Sequence, residues 1–477
     1  MKKNLKKYDK LIIVLVFCFA LVILSWFIKG GTYRSGVFSN LGYFRAGIYD
    51  FLFNLYGTIY YKLPDLFYII MVGGCYGVLS ETKSYRKLVD KSIELIHGRE
   101  KIAMALLVLL TGIYVSITTQ IFVIFALVPF IVTVFLGDGK DRLVALCASF
   151  GGTFLGVMAQ TFGTYGMSYL NQSLLLTYKE YFALKAVIFV LLYILFMVFT
   201  IVYMNQHKKT VDEIDYDLFA TEELDETEAK KKTKLWPTLI VMGVALIIGI
   251  LAYISWDAGF GIKAFSELFT KFNTKFSVKE VPVLATLLGT NNGNLSAFGS
   301  INDLLFESIL FLIVAVVVAI INKVSVADFF KNFGNGSKRL FGVGLIYCLC
   351  FMPILLASQF PWAITVVNSV FGSGKFNVLS ILTSGFLGQI LLVDQDFIGY
   401  VFGAFLATTY ADKVAITSII WRFGYGLALL VGPTSFLLMS ILTYLDIPYK
   451  KWLGFIWKFA CAAIIVFILT ICVVVYL

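Results

Sequence analysis

Asp394 and Asp396 stand in the run Leu391-Leu392-Val393-Asp394-Gln395-Asp396-Phe397, two carboxylates and a carboxamide with hydrocarbon on both sides. Two residues apart, they diverge on a helix and face one cavity only where the chain is unwound. Burial disfavours the ionised carboxylate and a like-charged neighbour disfavours it further, so such a pair can take up and release a proton; at an outer interface both would simply be solvated. A second polar interruption, Ser116-Ile117-Thr118-Thr119-Gln120, divides the apolar run from Ile102 to Leu136. Ser116, Thr118, Thr119, Gln120 and Gln395 offer hydroxyls and carboxamides to a polar solute or an ion. Two further breaks read Gln160-Thr161-Phe162-Gly163-Thr164-Tyr165-Gly166 and Gly432-Pro433-Thr434-Ser435, the second with a proline that removes a backbone donor. Thr161, Gly163, Thr164, Gly432, Thr434 and Ser435 either contact a ligand there or satisfy the opened helix backbone. Arg422, inside an apolar run, pairs with a tip aspartate, with an anionic solute, or in a structural ion pair.

Other chemistries lack their donors. Two histidines, both beside charged loop residues, and seven cysteines without paired ligand spacing give no metal centre, and no catalytic residue or cofactor is assigned. No Gly-x-x-x-x-Gly-Lys loop is present, so ATP does not drive this chain directly.

The elements that must position these residues are membrane helices. Of 477 residues, 59% are hydrophobic and 14% charged, and several apolar runs approach or exceed the roughly 18 residues that cross a bilayer. The net charge of +10 comes from short basic groups between apolar runs, the signature of orientation in a membrane rather than of nucleic-acid binding. Five lysines precede the run Leu11 to Ile28, and no small-residue cleavage pattern follows it, so it is expected as a retained first helix with a cytoplasmic N-terminus in the plasma membrane.

From there, Gly30 to Lys62 is expected outside, Pro64 to Ser80 returns, and Glu81 to Lys101 forms a cytoplasmic surface helix. Ile102 to Leu136 enters and leaves between basic flanks. Its arms have about 15 residues each, roughly 22 Å at helical rise, so a re-entrant hairpin is expected, the alternative being two full spans with a tight outer turn. Leu143 to Met158 runs outward to its break and Phe182 to Tyr203 returns. Residues 205–234, acidic at the centre and basic at the ends, form a cytoplasmic linker between an N-terminal half (1–204) and a C-terminal half (235–477). In the second half Leu235 to Tyr253 goes outward, Ser255 to Asn302 lies outside or at the interface, and Leu304 to Ile321 comes back. Lys323 to Arg339 is cytoplasmic and Leu340 to Leu356 crosses. Val378 to Thr409 is a second hairpin tipped by Asp394, Val414 to Val431 reaches the second break, and Trp452 to Leu477 is the last span. Ile447-Pro448-Tyr449-Lys450-Lys451-Trp452 reads as a basic, aromatic membrane border.

Each half thus carries a surface helix, a polar-tipped hairpin, a charged corner and a broken helix, and charge parity gives the halves opposite orientation. The expected fold is an all-α polytopic membrane protein with inverted repeats, two re-entrant hairpins and two broken helices, with a site at the repeat interface. The stretches Gly137 to Gln160 and Asp412 to Trp452 resemble the YfcC-like branch of the anaerobic four-carbon dicarboxylate carrier family, within the ion-transporter superfamily. Gly432-Pro433-Thr434-Ser435 and the Ile447 to Trp452 motif carry the likeness most closely. The resemblance implies secondary transport of an organic acid, amino acid or peptide coupled to protons or sodium, and a possible homodimer. Where that family has glycine-aspartate-glycine and then asparagine before the break, this chain has Gly424-Tyr425-Gly426 and Leu429, which makes a sodium cage harder to build and favours protons through Asp394 and Asp396. Alternatives from other classes are a membrane enzyme of lipid-linked glycan assembly and a non-transporting sensor or scaffold.

Overall fold

The first apolar run folds as helix α1 (Asp9–Leu24), as hydrocarbon requires: a segment there must satisfy every backbone N–H and C=O within itself. The computed structural model describes residues 8–162, 168–207, 219, 234–275, 277–278, 281–290, 295–301, 304–371 and 374–476. The segment expected outside is not irregular. Strands β1 (Gly31–Arg34) and β2 (Val37–Asn40) pair antiparallel around Ser35-Gly36, both at positive φ, the turn whose twist suits a two-residue hairpin. Helix α2 (Ile48–Tyr61) follows. Next come α3 (Leu63–Ser80) and the surface helix α4 (Lys83–Ile96), as expected. Helices α5 (Glu100–Thr118) and α6 (Phe122–Gly137) form the first hairpin. Its tip is interior: Thr118 and Gln120 are 0% and 1% exposed, which favours the re-entrant reading over an outer turn. Asp141 caps α7 (Arg142–Ala159) by accepting from the Val144 amide at 2.8 Å, so the charged corner serves as a helix start. After a break come α8 (Ser168–Ser173) and α9 (Phe182–Gln206).

Residues 205–234 lie outside the described residues apart from their ends and Phe219, whose ring is buried 5.8 Å from that of Tyr76. In the second half α10 (Trp236–Tyr253) precedes a region with short helices α11 (Trp256–Phe260), α12 (Ala264–Lys275) and α13 (Val283–Leu288) and the strand pair β3 (Ser277–Val278) and β4 (Val281–Pro282). Helix α14 (Leu305–Ile321) returns. The stretch Lys323 to Arg339 forms the first part of α15 (Val326–Leu349), because Ser325 caps the Asp328 amide at 3.1 Å and starts a helix that continues into the apolar run. The crossing expected to reach Leu356 ends early, and α16 (Met352–Gln359) begins with Pro353 in its first turn, followed by α17 (Trp362–Phe371). Helices α18 (Val378–Leu392) and α19 (Gln395–Thr409) form the second hairpin, α20 (Val414–Val431) and α21 (Phe436–Tyr444) the second broken helix, and α22 (Tyr449–Tyr476) ends the fold. Among the described residues, eight helical segments are long and apolar enough to cross a membrane. The chain is an all-α polytopic membrane protein with two small β-hairpins.

Each hairpin is locked to its own broken helix by glycine. A Cβ on Gly152 of α7 would lie 2.4 Å from the Val108 carbonyl of α5, and one on Gly424 of α20 would lie 2.3 Å from the Leu382 carbonyl of α18. Without a hydrophobic drive between helices in lipid, such backbone contact is what dispersion forces reward.

Candidate functional site

Both hairpin tips and both helix breaks open onto one cavity of about 430 Å³. The tips contribute Thr119, Gln120 and Ile121 from the first hairpin and Val393, Asp394, Gln395 and Asp396 from the second; the breaks contribute Gln160, Leu429 and Phe436. At three of these openings the backbone is left-handed in a residue with a Cβ: Thr119 (φ 57), Gln160 (φ 38) and Val393 (φ 64). Such conformations cost about 1–3 kcal/mol each and persist only where the surroundings enforce them. Val393 is β-branched, the least tolerant case. It is held by Tyr425, whose hydroxyl donates to the Val393 carbonyl at 3.1 Å from about two turns before the second break.

Polar atoms left over by the fold gather here. Gln120 Nε2, both side-chain polar atoms of Gln160, Gln395 Nε2 and Asp396 Oδ1 are buried without a hydrogen-bond partner. A buried polar atom without a partner costs about 1–3 kcal/mol, so this concentration marks a place built for something other than folding. Asp394 has a structural task as well, since its Oδ1 accepts from the Phe397 amide at 3.0 Å and caps α19. Lys62 and Asp65, at the start of α3, also line the cavity; the Lys62 ammonium sits 3.9 Å from the Phe351 ring centroid and the Tyr347 hydroxyl donates to Asp65 at 3.1 Å. The lining therefore holds one ammonium and three carboxylates, Asp65, Asp394 and Asp396. Helix α6 starts at the cavity, where Gln120 Oε1 accepts from its Phe122 amide at 3.3 Å and the Ile121 carbonyl accepts from its Ile124 amide at 3.1 Å.

Of the other residues singled out from the sequence, the described ones do not line the cavity. Ser116 and Thr161 hydroxyls are 3.0 Å apart and tie α5 to the end of α7. Thr118 donates to the Tyr114 carbonyl at 2.8 Å and accepts from the Gln120 amide at 3.0 Å. Gly163 and Thr164 lie outside the described residues. Arg422 donates to Asn171 of α8. Gly432 is extended at the break, where a Cβ would meet the Ala428 carbonyl at 2.6 Å. Thr434 donates to the Ile390 carbonyl at 2.9 Å.

The last three carbonyls of α20 are each taken by a side chain: Leu429 by Ser435, Leu430 by Trp452 Nε1 at 2.9 Å, and Val431 by the Tyr449 hydroxyl. This corrects the reading of Tyr449 and Trp452 as a membrane border. Trp452 is 0% exposed because the opened helix needs its N–H. Lys62, Asp65, Gln160 and Tyr347 were missed as site residues; the one sequence signal was the charged pair flanking Pro64 at the head of an apolar run.

No protein-family model matches the chain, and no curated protein matches it. Among solved structures it is similar to the crystal structure of the Alcanivorax borkumensis YdaH transporter, described as having an unusual topology, with 14% sequence identity and a TM-score of 0.37 over 98% of this chain and 99% of that one.

Proposed function

We propose that the protein is a secondary active transporter that moves a small polar solute across the plasma membrane by alternating access, with the cavity between the two hairpin tips as its solute site. The observation that carries this reading is the convergence of unpartnered polar atoms from Gln120, Gln160, Gln395 and Asp396 on one cavity. Helix ends that open at such a cavity offer backbone groups to solute and ion, as discontinuous helices do in transporters. The resemblance of the break motifs to the YfcC-like branch supports the same reading, in which the two hairpin-and-break units have opposite orientation and each rocks as a body locked by its glycines.

The charges narrow the solute. Three carboxylates against one ammonium disfavour a dicarboxylate and favour a group with an amine. The amine meets Asp394 and Asp396, and a carboxylate meets Lys62. An amino acid or short peptide fits both ends. Coupling runs through the tip aspartates: Asp394 is occupied as a cap, so Asp396, with its free oxygen, carries the proton. Purified protein in liposomes, screened for uptake of amino acids, peptides and dicarboxylates under imposed pH and sodium gradients, tests this. Uptake of a zwitterion driven by the pH gradient is expected; uptake confined to dicarboxylates, or none for any class, overturns it.

A further inference from the structure

A smaller chamber, about 50 Å³, lies directly behind the tip of the first hairpin and shares a wall with the central cavity. Phe122 and Leu304 line the central cavity; Val123, the next residue of α6, and Glu307, one turn along α14, line the small one. Glu307 is 1% exposed, and neither of its carboxylate oxygens has a hydrogen-bond partner. The titratable groups around it are phenols and a thiol: Tyr68, Cys75 and Tyr76 on α3, Tyr114 on α5 and Tyr253 on α10. Helices α6 and α10 add carbon side chains such as Ala126 and Met242, and no basic side chain is paired with Glu307 among the described residues.

An acid inside an apolar helix, without a partner, does not serve folding. Burying its charge unpaired costs several kcal/mol, whereas one bound proton removes the charge. The nearest hydroxyl, that of Tyr68, is already engaged: it donates to the Phe122 carbonyl at 2.6 Å, at the first turn of α6 and therefore at the hairpin tip. The Tyr114 hydroxyl has no partner. We infer that Glu307 is a proton-binding site whose occupancy sets the position of the first hairpin tip through Tyr68. With the proton on, Glu307 is neutral and Tyr68 stays on Phe122, anchoring the tip. When the proton leaves, the carboxylate draws the Tyr68 O–H to itself and the Phe122 carbonyl is released. One O–H bond forms or breaks and nothing else is exchanged. A metal cation is poorly served by one carboxylate and two phenols among carbon side chains, since it needs a fuller shell of oxygens.

This inference goes beyond the transport reading, and its test needs no solute. In nanodiscs, the apolar reagent dicyclohexylcarbodiimide adds to protonated carboxyls, and mass spectrometry of the peptide containing residue 307 reads the adduct. Hydrogen exchange of the peptide covering residues 119–126, corrected for intrinsic rates, reads the tip. The wild type should be labelled at Glu307 in acidic buffer and progressively less as pH rises, with tip protection falling in parallel and no response to exchanging sodium for choline. Glu307→Gln should lose the adduct and the pH response of the tip. Tyr68→Phe should keep the adduct and lose the response, which covers the case in which Glu307→Gln does not fold. Absence of the wild-type adduct at every pH, a tip response that survives in either variant, or a response to sodium instead of pH would each overturn the proposal. Asp396→Asn should leave both readouts unchanged, so failure of coupling at the central cavity and failure at Glu307 are told apart.

Discussion

Replacing Tyr425 by Phe should loosen the second hairpin tip without touching the rest of the cavity. The hydroxyl does one thing among the contacts of that tip: it donates to the Val393 carbonyl at 3.1 Å. Val393 is 0% exposed, so the carbonyl has no water to turn to, and leaving a buried acceptor unpaired costs about 1–3 kcal/mol. Val393 is also a β-branched residue at φ 64, and the bond that holds it there is the one removed. Local opening of the tip should therefore rise about 5- to 150-fold, the range that corresponds to 1–3 kcal/mol. Hydrogen exchange of the peptide spanning residues 390–400 measures this. Tyr347→Phe is the control, since that hydroxyl bonds the Asp65 side chain and no backbone group of the tip. Wild-type exchange at the tip in Tyr425→Phe would refute the claim that this hydrogen bond enforces the strained turn.

Three more outcomes follow from the same geometry. Gly424→Ala places a Cβ 2.3 Å from the Leu382 carbonyl, so α18 and α20 must part; a loss of about 1–3 kcal/mol is expected in thermal unfolding, while Gly454→Ala, with open space around it, should be neutral. Asp396→Asn removes a charge whose Oδ1 has no partner, so thermal stability should hold or rise while uptake driven by a pH gradient is lost; a large drop in stability would make Asp396 structural. Protease added outside intact cells should leave residues 205–234 uncut, and cleavage there would reverse the proposed orientation.

The tips and breaks were legible because each is a polar or proline-bearing interruption in a run that hydrocarbon would otherwise fill, and Asp394 to Asp396 and Thr119 to Gln120 do line one cavity. What each hydroxyl does was not legible. Thr434 and Ser435 as ligands and as backbone partners give the same sequence, and only the positions of the Ile390 and Leu429 carbonyls distinguish them. Tyr449 and Trp452 show the opposite error: aromatics beside lysines have the composition of a membrane border, yet these two reach back across a turn to cap α20. Lys62 and Asp65 escaped because charges at the head of an apolar run are usual at an interface, and nothing local announces that this head is folded toward the centre. Glu307 escaped for the same reason, one acid in the first turn of α14.

The close crossing of α3 with α15 has a consequence for how the chain is joined. A Cβ on Gly77 would lie 2.3 Å from the Asn332 carbonyl, and one on Gly336 would lie 2.2 Å from the Gly73 carbonyl, so α3 and α15 meet backbone to backbone. Helix α7 lies against α20, α8 against α19 and α9 against α22, so every major element of the first hairpin-and-break unit after its tip also finds a partner from beyond residue 234. Two polypeptides divided between residues 220 and 233, which leaves Phe219 on its Tyr76 contact, and co-expressed, carry matching faces and should find one another in the bilayer as a split protein.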